Sequence, residues 1–206
     1  MYKGGSVVNF DTRKAKISLR RKLLDKRDSL SIAEIKDKSF DIKNTLFGLK
    51  EFKEAKTIMF FVSFRSEVMT DFMIREALDL GKNVVVPKVV KHSRSIQIYS
   101  VKDFYTDLSF GAYGILEPRS DVCKRAKKSD VDIVIVPGAG FTKEGDRIGY
   151  GSGYYDRFFE SLPKSSLKIA LAFELQIIKD IPTNEDDVPV DMIITEKSGI
   201  RCNGTG

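Results

Sequence analysis

One stretch constrains this chain more than any other. Residues 131–137, VDIVIVP, run directly into GAGFTKEGDRIGYGSGYYDR, residues 138–157. A short run of β-branched residues bounded by turn formers is a strand buried on both faces. Gly138 and Gly140 permit a tight departure from it. Gly149, Gly151 and Gly153 then alternate with Tyr150, Ser152 and Tyr154, and Tyr154 to Leu162 reads as a helix that stops before Pro163. A buried strand that ends in a glycine-rich loop and a helix belongs to an α/β sheet. In open sheets of that kind ligands bind at this strand edge, so the segment from Pro137 to Arg157 is the expected active-site region.

The rest of the chain fits the same class. Residues 11–30 have Ala15, Leu19 and Leu23 at four-residue intervals and predict a helix. Ser31 opens a second helix, because Glu34 completes a capping box and Ile35, Ile42, Leu46 and Leu49 follow at helical spacing. TIMFFVSF (57–64) and NVVVP (83–87) read as buried strands, with a helix over 70–80 that ends at Gly81. Residues 95–101 alternate as an edge strand does. Residues 102–130 read as loops with one short helix after Pro118. LKIALAF (167–173) is a strand, and 190–195 is expected to be the last. Strands alternating with helices predict a single-domain, three-layer α/β/α fold around a mostly parallel open sheet. The expected boundaries are a tail over 1–10 and one domain over 11–206.

Bulk properties narrow the function. The chain has 206 residues, 42% apolar and 31% charged, which fits one domain with a sizeable core. It has no apolar run of eighteen residues and no secretory leader, so no membrane role is expected. Cys123 and Cys202 read as free thiols of a reducing compartment, the cytoplasm first, with an organelle left open. A single histidine, His92, in a polar loop argues against a zinc site and a Ser-His-acid triad. The net charge of +6 attracts anions. The basic residues are dispersed, and Glu185, Asp186 and Asp187 would repel a nucleic-acid backbone, so a small polyanion is favoured over nucleic acid. No strongly apolar helix face is left over, which predicts a monomer.

The glycine-rich segment suggests what that anion is. Glycines let main-chain amides converge on one point, a following helix adds free N–H groups, and Arg147 and Arg157 can pair with phosphate oxygens. Asp156 can hold a divalent cation. Together these suit a nucleoside triphosphate, although neither the common phosphate loop nor the dinucleotide fingerprint is present. The competing reading is that the glycines only shape a turn while the tyrosines pack. On the first helix Lys16, Arg20 and Arg27 share one face near Leu23. That face either reaches a ligand or is a solvated basic surface.

GDRIGYGSGYYDRFF after VIVPGAGF resembles the signature of the 5-formyltetrahydrofolate cyclo-ligase family, whose members are also called methenyltetrahydrofolate synthetases. KISLR (16–20), SEVMT (66–70), GKNVVVPKV, GILEP and IPTNEDDVPVDMIIT resemble further family segments in the expected order. The resemblance implies conversion of 5-formyltetrahydrofolate to 5,10-methenyltetrahydrofolate with ATP and Mg²⁺, releasing ADP and phosphate. The formyl oxygen is phosphorylated, the ten-position nitrogen closes the ring, and phosphate leaves. It implies ATP contacts from Lys16, Arg20, Asp146, Arg147, Ile148, Gly149, Tyr150, Gly151, Ser152, Gly153 and Tyr154. Arg147, Lys16 and Tyr154 would be catalytic, Asp156 and Asp191 the magnesium ligands, and Glu67, Tyr154 and Tyr155 the folate contacts. Two positions depart from the family pattern: Thr142 stands where an acid is common, and so does Met69.

Overall fold

The computed structural model describes residues 10–111 and 114–202. Helix α1 spans Phe10–Asp28, so the expected tail over 1–10 lies outside the described residues except for Phe10, which opens the helix. Helices α2 (Ile32–Gly48) and α3 (Lys50–Glu54) follow. The capping box forms as expected, with the Glu34 N–H donating to Ser31 Oγ at 3.2 Å and the Ser31 N–H to Glu34 Oε2 at 2.9 Å. Strand β1 (Thr57–Met59) leads to α4 (Asp71–Asp79), β2 (Asn83–Val90) and β3 (Ser95–Val101). Gly81 closes α4 with φ +76°, and the amides of Gly81 and Lys82 reach back to the carbonyls of Leu78 and Ala77. Strands β4 (Leu108–Phe110), β5 (Leu116–Pro118), β6 (Ile133–Val136), β7 (Gly140–Phe141) and β8 (Arg147–Ile148) precede α5 (Tyr154–Phe159). Strands β9 (Leu167–Leu171), β10 (Met192–Ile194) and β11 (Gly199–Arg201) complete the chain.

Seven strands form one sheet in the order β11-β10-β9-β6-β1-β2-β3. The pairs β10–β9, β9–β6, β6–β1 and β1–β2 are parallel, and the two edge pairs, β10–β11 and β2–β3, are antiparallel. Alternation along each central strand sends side chains to opposite faces. Ile58, Val84, Ile133, Ile135 and Ile169 meet Ile42, Leu46, Phe52 and Ile74 of α2, α3 and α4 on one side. Met59, Val85, Val134, Val136 and Ala170 meet Phe158 and Phe159 of α5, and Phe141 of β7, on the other. The layers are therefore three, as expected. They are unequal, because a single short helix and the β7–β8 hairpin cover the second face.

Several boundaries differ from the expectation. Residues 60–64 leave the sheet because side chains capture their backbone: the Ser63 N–H donates to Thr70 Oγ1 at 2.9 Å, and Thr70 Oγ1 donates to the Phe61 carbonyl at 2.7 Å. The short helix expected after Pro118 is, among the described residues, a single 3₁₀ turn over Lys128–Asp130 just before β6. Residues 108–118 instead contribute the β4–β5 ribbon, and the chain after it makes one turn on the Arg119 carbonyl. Helix α5 stops at Phe159 because Ser161 and Leu162 bond back three residues, not four. The strand expected over 190–195 shortens to Met192–Ile194 and is not the last, since β11 pairs with it. On α1 the predicted stripe is only half realised. Leu23 is buried, while Ala15 is exposed, because the N-terminal half of the helix overhangs a cleft and does not lie on the core.

Candidate functional site

A cleft of about 890 Å³ opens at the carboxyl ends of β1 and β6. Its walls are α1, the loop after β1, the ends of β2 and β5, and the continuous stretch Arg147–Asp156. Lys16, Arg20 and Arg27, all on one face of α1, line it, so the basic face borders a cleft and is not simply solvated. The Arg20 Nε–H donates to the Gly149 carbonyl at 2.6 Å, and burial lowers the pKa of its guanidinium. Lys16 pairs with Asp187, which the 182–189 loop carries to the cleft edge.

Among the described residues, none of the amides from Gly149 to Gly153 donates to a protein acceptor. Backbone N–H groups left unused along a loop that lines a cleft are donors waiting for an anion. Glycine is required here for two reasons. Gly151 has φ +100°, a conformation that L side chains rarely adopt. At Gly149 a Cβ would stand 2.5 Å from Arg147 Nη1. Helix α5 has only six residues, so its dipole adds less than a long helix would. The loop's own amides and the basic side chains carry the charge.

The opposite end of the cleft is built around Glu67. Its Oε2 accepts the Phe64 N–H at 2.9 Å, and its Oε1 accepts the hydroxyl of Tyr150. Burial raises its pKa above 4.5, and the bonds from Tyr150 and Phe64 with the Arg27 charge oppose the rise without cancelling it. The Tyr150 hydroxyl also accepts from Arg27 Nη1 at 2.8 Å. Burial, and then the Glu67 charge, push the Tyr150 hydroxyl pKa well up. The residue as a whole is 47% exposed, while its hydroxyl is held between Glu67 and Arg27. Tyr155 is likewise pushed up by burial, and it lines the cleft with Tyr154 and Phe61. Phe61 belongs both to this wall and to the core.

Arg147 joins the two regions. It is 8% exposed, its Nη2 donates to Asp156 Oδ1 at 2.7 Å, and its guanidinium lies 5.7 Å from the centre of the Tyr155 ring. Asp156 Oδ2 has no protein donor among the described residues and faces the cleft. One free carboxylate oxygen beside a phosphate-sized site suits magnesium, which keeps several waters and draws other ligands from phosphate. Asp146 and Asp191 do not line the cleft. The Asp146 N–H donates to Thr142 Oγ1 at 3.1 Å in the turn between β7 and β8. Asp191 pairs with Lys168 at 2.9 Å, before β10 begins, at the amino end of the parallel strands and thus at the sheet edge away from the cleft. The structure does not bring Asp156 and Asp191 together around one cation, because parallel strands put the start of β10 and the end of β6 on opposite edges.

The sequence profile of the 5-formyltetrahydrofolate cyclo-ligase family matches residues 12–196. The chain belongs to the 5-formyltetrahydrofolate cyclo-ligase family. It is 36% identical over 156 residues to a probable 5-formyltetrahydrofolate cyclo-ligase of Caenorhabditis elegans, covering 71% of this chain and 76% of that one. It is 29% identical over 193 residues to the 5-formyltetrahydrofolate cyclo-ligase of Mus musculus, covering 89% and 95%. The solved structure of 5,10-methenyltetrahydrofolate synthetase from Aquifex aeolicus superposes with a TM-score of 0.81 at 34% identity, covering 93% and 94%.

Within this cyclo-ligase fold, Arg27 and Asp187 are cleft residues that the sequence-based site did not include. Arg27 was visible on the basic face, but its bonds to Ser66 Oγ at 3.1 Å and to Tyr150 were not. Ser66 in turn donates to Asp28. Asp187 gave no signal beyond its acidic neighbours. Thr142 and Met69 both make local structural contacts. Thr142 is buried, and its hydroxyl closes the β7–β8 turn on Asp146. Met69 packs against the core under α2, and its amide donates to Ser39 Oγ at 2.9 Å.

Proposed function

We propose that this cyclo-ligase converts 5-formyltetrahydrofolate and ATP to 5,10-methenyltetrahydrofolate, ADP and phosphate. The observation that carries the reading is the run of unused amides over Gly149–Gly153, flanked by Lys16, Arg20 and Arg147 and facing a buried carboxylate, Glu67, across one cleft. A polyphosphate satisfies the first set of groups. A carboxylate is the natural partner of the paired N–H donors on a pterin edge.

The chemistry needs alignment more than acid–base power. The formyl oxygen attacks the terminal phosphorus of ATP, and ADP leaves. The folate's ten-position nitrogen then forms a bond to the formyl carbon and gives up its proton, and the carbon–oxygen bond breaks to release phosphate. Nucleophile and electrophile sit on one substrate, so no side-chain nucleophile is called for. His92 does not line the cleft. Lys16, Arg20 and Arg147 neutralise charge on the transferring group, and the loop amides fix its position. Tyr154 and Tyr155 supply wall for the flat ring. Magnesium, held by Asp156, would neutralise phosphate charge.

The appearance of 5,10-methenyltetrahydrofolate absorbance on mixing protein, Mg-ATP and 5-formyltetrahydrofolate tests the reading directly. Product that depends on ATP is the expected result. No product at saturating substrates, with both ligands still bound, identifies instead a binding relative without turnover.

A further inference from the structure

Glu67 is 9% exposed, and part of what covers it is Tyr150. Its two oxygens are both engaged. The Phe64 N–H belongs to the same loop as Glu67 and moves with it, whereas Tyr150 comes from the glycine-rich loop across the cleft. The Tyr150 hydroxyl competes with a pterin's N–H donors for Glu67 Oε1.

The hydroxyl is the main tie on Tyr150. The residue stands between Gly149 and Gly151, its own N–H has no protein acceptor among the described residues, and it lines the cleft. A second partner is already in place, since Arg27 Nη1 donates to the same hydroxyl at 2.8 Å. Arg27 is 5% exposed and is fixed by Ser66 and by the Gly138 carbonyl, so it does not follow the loop.

We propose that the Tyr150 hydroxyl is a stand-in for the folate's N–H donors, holding Glu67 until substrate takes it, so that one residue couples the pterin seat to the phosphate loop. The proposal rests on the reading of Glu67 as the pterin partner. A polyphosphate that gathers the Gly149–Gly153 amides draws Tyr150 away from Glu67 and clears the seat. Folate on Glu67 releases the loop from one anchor and leaves it free to close on phosphate. The coupling is positive, and thermodynamic reciprocity makes it equal in both directions.

Calorimetric titration of 5-formyltetrahydrofolate tests this with the parent protein, Tyr150→Phe and Glu67→Gln, each with and without a magnesium-loaded, non-hydrolysable ATP analogue. In the parent the analogue tightens folate binding several-fold. In Tyr150→Phe, folate without nucleotide binds about three- to tenfold tighter than to the parent, the range one displaced hydrogen bond accounts for, and the analogue changes it less than twofold. Folate binding to Tyr150→Phe that is no tighter than the parent's, or that keeps the parent's response to nucleotide, overturns the proposal. Glu67→Gln separates the two layers: unchanged folate affinity in that variant removes the pterin reading itself. A second measurement uses the unmodified side chain. The ¹³Cζ resonance of Tyr150, assigned by its loss in Tyr150→Phe, shifts when folate alone is added, and a stationary resonance at saturation refutes displacement.

Discussion

Arg147 and Asp156 are nine residues apart in the chain and 2.7 Å apart across the start of the glycine-rich loop. Their side chains are 5% and 20% exposed, so the pair is largely shielded from water. The Nε of Arg147 has no hydrogen-bond partner among the described residues. Buried polar atoms without a partner are few in native proteins, and an anion in the cleft beside Arg147 is one group that would meet this guanidinium.

Arg147→Ala is therefore expected to lose more than ATP affinity. The KM for ATP rises at least tenfold, and stability falls by about 2–3 kcal/mol because Asp156 is left without its partner and Tyr155 and Phe159 lose a packed neighbour. Steady-state kinetics and a chemical denaturation curve read the two effects separately. Unchanged kinetics in a destabilised variant would make Arg147 a purely structural residue.

Glu67 predicts a pH dependence of defined sign. Burial raises its folded pKa above the ordinary 4.5. The folded state therefore holds this proton more firmly than the unfolded state. Its contribution to stability is greatest below about 4.5 and declines as pH climbs from there through the raised folded value. Folate binding has the opposite trend, since the carboxylate must be ionised to accept the pterin's donors. Folate affinity is expected to weaken, on acidification, at a pH higher than an ordinary glutamate would give. The Glu67→Gln variant binds folate weakly, with a flat pH profile, and retains its ATP affinity.

Lys16 is paired with Asp187 at the cleft edge. Asp187→Asn removes that ion pair while leaving an oxygen that can still accept the Asn184 N–H, which now stands 2.6 Å from Asp187 Oδ2. The KM for ATP is expected to fall two- to threefold, a change of under about 1 kcal/mol, consistent with a part-exposed ion pair. Lys16→Ala moves it the other way. A rise in KM in Asp187→Asn would show that the 182–189 loop assists phosphate binding and does not compete with it.

The buried Thr142 hydroxyl accepts the Asp146 N–H at 3.1 Å and so closes the turn between β7 and β8. Thr142→Val keeps the shape and removes the bond. A loss of about 1 kcal/mol in stability with kcat within twofold is expected. A large drop in kcat with stability unchanged would assign Thr142 to the reaction.

Much of this protein was legible without coordinates because it depends on neighbours in sequence. The capping box at Ser31 and Glu34, the Gly81 stop, the buried strand before Pro137 and the basic face of α1 each require only residues a few positions apart. So does the family motif. Tertiary structure decided what those pieces touch. Asp191 looked equivalent to Asp156 in sequence, yet parallel strands carry their starts and ends to opposite edges of the sheet, and Lys168 claims it there. Tyr150 read as one more residue of a phosphate loop, until the fold set its hydroxyl on Glu67, 83 positions earlier. Periodicity and propensity are local quantities that a chain displays at every point. Which charge finds which partner depends on the path of the chain between them, and only packing of the whole sheet fixes that path.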